Sequence, residues 1–227
     1  MTRKATILLT ALALLLPVST AHAVGQWSFG VNGGVGIPVG NFSSSDSTGL
    51  EAKTGITFGG EIDYHTGGRL AIGIDGGMNT NKHKGEGDVF DLGGGQTLTA
   101  VKDKFKITHF GAHAKYKFST ASKAAPYGVL GLGIYDLKED YDYAFDDGST
   151  VVHFTDESDN VEQPGSRFGG RIGLGALIHA SKSIGVSLES DYNFIKMDKD
   201  KFGIGSLAYI GVRGGITFIL QPSAGSQ

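Results

Sequence analysis

Polar and apolar side chains alternate one by one along this chain, and the alternation returns in eight separate segments. An extended backbone points successive side chains to opposite faces, so a period of two marks a strand whose faces meet different surroundings. A helix packed on one side needs a period near 3.6, and that pattern is missing from the segments after residue 23. In the first segment Trp27, Phe29, Val31, Val35 and Ile37 share a face. The second sets Ile56, Phe58, Ile62 and Tyr64 against Thr57, Gly59, Glu61 and Asp63. The third sets Leu70, Ile72, Ile74 and Met78 against Ala71, Gly73, Asp75 and Asn79.

The middle of the chain is less regular. The fourth segment starts around Phe105 and Ile107 and then changes phase. Beyond the change Phe110, Ala112, Ala114, Tyr116 and Phe118 face one way, and His109, His113, Lys115 and Lys117 face the other. A bulge near Thr108 accounts for such a slip. The fifth segment, Tyr127 to Leu137, is Gly-rich and its phase is open. The sixth sets Phe168, Ile172, Leu174, Ala176 and Ile178 against Arg171 and His179. The seventh sets Ile184, Val186, Leu188, Tyr192 and Phe194 against Ser187, Glu189, Asp191 and Asn193. The eighth sets Ile210, Val212, Ile216, Phe218 and Leu220 against Tyr209, Arg213 and Thr217.

Short connections at Thr66–Gly68, Ser119–Ala125 and Ser181–Ser183 take turns with long ones at roughly 38–53, 81–103, 138–166 and 195–205. That layout predicts an all-β fold, an eight-stranded antiparallel up-and-down transmembrane β-barrel with tight turns on one rim and loops on the other. Before it, Arg3 and Lys4, the apolar run Ile7–Leu16 and the motif Ala21-His22-Ala23 read as a Sec signal peptide over 1–23. The barrel then occupies 24–220, and 221–227 form a short tail. No later segment holds 18 consecutive apolar residues, so any crossing of a membrane falls to strands.

A soluble sandwich also alternates. The large rings argue for the membrane. With the N-terminus on the periplasmic side, Trp27, Tyr64, Tyr116, Phe118, Tyr127 and Phe218 fall at one end of their strands. Phe58, Phe105, Tyr135, Phe168, Tyr192 and Phe194 fall at the other. Two aromatic girdles around a band of aliphatic residues are what two lipid–water interfaces select. The 20 basic and 23 acidic residues show no surplus of positive charge for nucleic acid. With no Cys, disulfides, thiolate metal sites and cysteine nucleophiles are excluded.

The signal segment, the eight strands and the phrase Pro126-Tyr127-Gly128-Val129-Leu130-Gly131-Leu132-Gly133 resemble the outer-membrane β-barrel family of opacity-type surface proteins and OmpA-like transmembrane barrels. The ending Gly215-Ile216-Thr217-Phe218-Ile219-Leu220 resembles the last strand that this family's assembly machinery reads, although here the chain runs on to Gln227. The resemblance implies export to the bacterial outer membrane, contact with its lipid and lipopolysaccharide, and a surface ligand, if any, held by the long loops.

Eight strands leave a lumen that side chains can fill. Glu189 and Arg213 stand at mid-depth on neighbouring strands and are expected to pair. Glu61, Asp75 and Arg171 extend them into a charge network that plugs the barrel, since buried ions are costly unless paired. A small gated channel would use the same residues. A channel for hydrophobic compounds, of the OmpW type, needs an apolar lumen, and only Leu130, Leu132, Ile134, Leu177 and Tyr209 offer one. His179-Ala180-Ser181, with Glu189 or Asp191, resembles the His-x-Ser pair of lipid A deacylases, but it falls at a turn on the wrong rim. His109 and His113 share a face without further metal ligands. No catalytic residues, resident metal or cofactor are expected. The third long loop is acidic, and Asp140, Asp142, Asp146, Asp147, Asp156 and Asp159 are candidates for contact with divalent cations. Its Tyr141, Tyr143, Phe145 and Phe154 suit a β-extension above the membrane.

Overall fold

The computed structural model describes residues 25–45, 49–119, 123–146, 150–158, 166–199 and 204–220. The expected signal segment with its cleavage point after Ala23, and the tail 221–227, lie outside the described residues. Among the described residues ten strands run in order: β1 (Gln26–Val39), β2 (Gly55–His65), β3 (Leu70–Lys82), β4 (Val89–Gly93), β5 (Gln96–Lys117), β6 (Ala124–Asp146), β7 (Val151–Ser158), β8 (Arg167–His179), β9 (Ile184–Lys196) and β10 (Ser206–Ile219).

Eight of the ten close a ring of antiparallel pairs, β1-β2-β3-β5-β6-β8-β9-β10 and back to β1. The closing pair β1–β10 runs unbroken from Ser28↔Ile219 to Val39↔Ala208. Closure satisfies every strand edge, which is the condition for carrying backbone polar groups through hydrocarbon. The outer wall is predominantly apolar: Val31, Ile56, Ile74, Leu130, Ile172, Leu174 and Leu188 all project away from the ring, with Ile56 69% exposed. Water would not tolerate so wide an apolar belt, and lipid requires one.

β5 and β6 have 22 and 23 residues, whereas β2 has 11 and β3 has 13. A tilted strand crosses a bilayer in about 9–11 residues, so the excess rises above the long-loop rim. There β4 pairs with β5, and β7 pairs with β6, giving a four-stranded sheet outside the barrel. Much of the segments 81–103 and 138–166, expected as loops, is therefore sheet. The run of β-branched and aromatic residues Thr97, Thr99, Tyr143 and Phe145 favours it.

The phase of β5 differs from the sequence expectation. Its register against β3 is continuous from Lys104 to Tyr116, with no bulge at Thr108. The irregularity lies higher, between Ala100 and Lys102. Phe105 and Ile107 therefore stay on the same face as His109 and His113, pointing into the barrel, where both are buried. On β6 the inward residues are Tyr127, Val129 and Tyr135, and Leu130, Leu132 and Ile134 face outward.

Two inward rings have room because glycines face them. A Cβ at Gly175, directly opposite Tyr127, would sit 2.5 Å from the Tyr127 Cζ, and one at Gly169 would sit 2.7 Å from the Tyr135 ring. Gly175→Val is therefore expected to push Tyr127 aside and to destabilise the barrel by about 1–3 kcal/mol, read as a lower unfolding midpoint in detergent micelles. An unchanged midpoint would show that the ring has another place to go.

Candidate functional site

The interior is built in three layers. At the short-turn rim, Ser28 Oγ and His65 Nε2 are 2.9 Å apart and buried. Beside this pair, Tyr127, Val129 and Leu177 form a small apolar cluster.

The middle layer is ionic, because the inward face of seven neighbouring segments carries a charged or polar residue at the same depth. Register sets Arg213 opposite Glu189 and Glu61 opposite Asp75. Arg213 Nη2 lies 2.7 Å from Glu189 Oε1 and also bonds Asp191. Arg171 reaches Asp75 at 3.3 Å, Glu189 at 3.4 Å and Asp191 at 3.6 Å. His113 bridges two carboxylates, with Nε2 2.6 Å from Asp63 and Nδ1 2.8 Å from Asp75. His109 Nε2 adds a contact to Asp75 at 3.0 Å. Lys115 Nζ donates to Glu61 at 2.5 Å and to Asp63 at 3.0 Å, and the Tyr127 hydroxyl donates to Glu189 at 2.9 Å. All five residues expected in the lumen are thus brought together: Glu61, Asp75, Arg171, Glu189 and Arg213. Six partners were missed as network members, namely the Tyr127 hydroxyl on β6 and the charged or imidazole groups of Asp63, His109, His113, Lys115 and Asp191. Their phase on β2, β5 and β9 had been legible; their depth had not.

Glu61, Asp63 and His113 are the group, among the described residues, whose donor atoms lie close enough to share one metal ion. The Lys115 ammonium stands against both carboxylates, so the chain supplies its own cation there.

The third layer, toward the long-loop rim, is apolar. Phe105, Ile107, Tyr135, Ile195, Met197, Ile204, Leu207 and Tyr209 pack together, and Phe42 is inserted among them from the turn after β1. Phe42, Ile107, Ile195 and Leu207 have no exposed surface at all. Asn81 fastens this region by donating to Gly36 O at 3.0 Å and to Lys53 O at 2.8 Å. The expectation that charge fills the lumen is corrected here: toward the long-loop rim it is filled by a hydrocarbon plug. Of the five residues expected to offer an apolar lining, Leu177 and Tyr209 point inward, and Leu130, Leu132 and Ile134 face lipid.

The aromatic girdles are corrected likewise. Trp27, Phe58, Tyr116, Phe118, Phe168, Tyr192, Phe194 and Phe218 are exposed on the outer wall, and Tyr64 is half-buried against Trp27 at 5.0 Å. Phe218 stacks on Phe29. Phe105, Tyr127 and Tyr135 are instead buried inside. A dry, packed lumen suits a ring as well as lipid does, so hydropathy alone misplaces them.

Above the rim, Asp140 is paired with Lys106 at 3.1 Å and Asp142 with His153 at 3.1 Å. Asp146 ends β6 opposite Val151. Asp156 lies on β7, while Asp147 and Asp159 fall outside the described residues. His179 closes β8, and the Ser181 hydroxyl is spent on its own turn, accepting from the Ser183 and Ile184 amides at 3.2 and 3.0 Å.

The closed eight-stranded ring, its apolar belt and its filled interior can now be set beside known proteins. The family model of the outer membrane protein beta-barrel domain matches residues 8–210. The chain belongs to that family. It is an integral protein of the bacterial outer membrane, and the rim of short turns is its periplasmic side by the architecture of such barrels. Among solved structures, Neisserial surface protein A is similar, with 14% identity and a TM-score of 0.53 over 85% of this chain and 96% of that one. OprG of Pseudomonas aeruginosa follows at 12% identity and 0.45, over 86% and 96%. Ail, the attachment invasion locus protein of Yersinia pestis, follows at 12% and 0.43, over 86% and 97%. No curated protein matches the sequence. The protein is thus an outer-membrane eight-strand barrel with the architecture of Neisserial surface protein A.

Two carboxyl groups in the extracellular extension are perturbed. Burial pushes Asp103 up, against the pull of His83 and the Tyr143 hydroxyl, and Glu86 adds to the rise. Burial also pushes Glu139 up, with Asp103 adding and His83 opposing. Groups whose folded pKa is raised favour the fold while protonated, and that support is lost as pH climbs from the ordinary value of about 4 through the raised one. Corrected amide exchange in the β5–β6 extension is therefore expected to speed up as pH rises above the ordinary carboxyl value of about 4. The Asp103→Asn variant should flatten that dependence, and an equal slope in both proteins would refute the assignment.

Proposed function

We propose that this outer-membrane barrel is a non-enzymatic envelope protein whose lumen is closed and whose role is carried by its surfaces. The observation behind the reading is the pair of seals in series: a membrane-depth ion network and, outside it, an apolar plug. On this reading the barrel wall serves the envelope structurally, and the extracellular sheet of β4–β7 meets lipopolysaccharide or a surface ligand. The signal segment would be removed after Ala23, and the assembly machinery would read β10 with Phe218 turned to lipid. The engagement of Ser181 within its own turn supports the absence of deacylase chemistry.

Single-channel recording of the folded barrel in planar bilayers tests this. Silence is expected. Steady discrete conductance that changes in Arg213→Met would overturn the closed reading and make the protein a channel. One feature favours a second reading, passage of hydrophobic compounds: the outer half of the lumen is apolar. Its side chains fill that space, so such a compound would have to displace Phe42 and its neighbours.

A further inference from the structure

The rim of short turns carries charge of one sign. Arg69 stands in the turn between β2 and β3, Lys117 ends β5, Lys123 precedes β6, and Lys182 stands in the turn between β8 and β9. The segments 64–74, 104–135 and 163–188, which contain these turns, hold no Asp or Glu. The opposite rim is the reverse: segments 81–103 and 138–166 hold thirteen Asp and Glu against four Lys. Of the lumen carboxylates, Glu61 and Asp63 stand toward the short-turn rim, and both are held by Lys115. The countercharge for the rim must therefore come from outside the barrel wall.

The fold gathers these bases into one arc. The Lys117 amide donates to the Arg69 carbonyl at 2.8 Å, which ties the end of β5 to the turn before β3. The His179 amide donates to the Lys123 carbonyl at 2.8 Å, which ties the end of β8 to the start of β6. Lys182 follows in the turn that His179 opens. The arc also lies at the lipid interface. Arg69 Nη1 donates to the Tyr116 hydroxyl at 3.5 Å, and the Tyr116 ring is exposed on the outer wall beside Phe118. Trp27 and Tyr64 face each other just before the turn that holds Arg69, also on the outer wall. Amphipathic rings of this kind sit at headgroup depth. A guanidinium bonded to one of them stands among lipid phosphates.

We propose that this periplasmic arc binds the phosphate groups of anionic phospholipids in the inner leaflet of the outer membrane. A guanidinium matches phosphate oxygens in a fork, and each Lys or Arg near an anionic surface strengthens the attraction about fivefold. Peptidoglycan carboxylates are the competing anion, and the bond from Arg69 to a lipid-facing tyrosine favours the lipid. The binding concerns the rim opposite the extracellular sheet and holds whether or not the lumen conducts. It would seat the periplasmic end of the barrel in headgroups while the acidic extension points away from them.

Trp27 is the single tryptophan of the chain, and it lies on this rim with 53% of its surface exposed. Its fluorescence reports which lipids gather there. The folded barrel is placed in phosphatidylcholine vesicles that contain a small fraction of brominated lipid, either phosphatidylglycerol or phosphatidylcholine, at about 0.1 M salt. Brominated phosphatidylglycerol is expected to quench Trp27 as strongly as an about fivefold higher fraction of brominated phosphatidylcholine. The preference should fall to near parity in the Arg69→Gln, Lys123→Gln double variant and persist in Lys53→Gln at the other rim. These side chains are exposed, and heat-modifiable gel migration checks that each variant is folded. Equal quenching by the two lipids, or an undiminished preference in the double variant, overturns the proposal. Cosedimentation with purified peptidoglycan that the double variant loses, with no preference between lipids, overturns it in favour of the cell-wall polymer.

Discussion

Arg213→Met is expected to destabilise the barrel by about 3–5 kcal/mol, the cost of leaving buried ions without their partner. The only cation in contact with Glu189 and Asp191 would then be Arg171, at 3.4 and 3.6 Å, beside the neutral donors Tyr127 and Asn193, while Arg171 also serves Asp75 at 3.3 Å. One guanidinium shared by Glu189, Asp191 and Asp75 leaves surplus negative charge, which His113 and His109 offset at Asp75 but not at the other two. Replacing Glu189 by Gln in the same protein removes one surplus charge and should recover part of the loss, giving a coupling energy of about 0.5–3 kcal/mol between the two sites. The measurement is the equilibrium unfolding midpoint in detergent micelles, followed by the mobility difference between folded and heated protein. Additive effects of the two substitutions would mean that water, rather than Arg213, neutralises Glu189. The apolar plug lies outside the network, so the Arg213→Met barrel is still expected to be electrically silent.

Phe42→Ala attacks the second seal. Phe42 is wholly buried, packs edge-on to Phe105 with ring centroids 5.8 Å apart, and enters the lumen from a turn rather than from the wall. Deleting so large a buried ring typically costs about 3–5 kcal/mol. Because the ring is carried by a turn, the loss should appear first as local opening. The amides of Ser43, Ser44, Leu50 and Ala52, which donate to the Gly40, Asn41 and Phe42 carbonyls within this connection, should exchange faster while those of β9 and β10 hold. The combined Phe42→Ala and Arg213→Met barrel is the variant expected to conduct. Silence in that double variant would place the closure elsewhere in the lumen. Unaltered exchange in Phe42→Ala alone would show that the plug does not depend on this ring.

The two predictions fall on layers that were unequally visible in the sequence. Arg213 and Glu189 could be paired in advance because two clean alternating strands, consecutive in the chain and so neighbours in an up-and-down barrel, fix the phase of both residues and place each near mid-strand. His109, His113 and Lys115 were visibly on the inner face, but their meeting with Asp63 and Asp75 depends on β2, β3 and β5 lying side by side at a given stagger. The plug was hidden for a different reason. Phe105, Ile107 and Tyr135 look like lipid-facing residues because the test applied to them is hydropathy, and a packed lumen is as free of water as a bilayer. The apparent change of phase in β5 came from reading those inward side chains as outward ones.

The periodic part of this protein was legible before any coordinates. Period-two alternation gave the strands, the small-residue turns gave their reversals, and eight of them with an apolar face gave a closed barrel in a membrane. These follow from local geometry and from the difference between lipid and everything else. Tertiary structure alone decided which inward residues share a depth, which rings enter the lumen through the space that Gly169 and Gly175 leave, and how far β5 and β6 rise beyond the membrane. Stagger around a closed sheet is set by all eight strands together, and no single strand carries it.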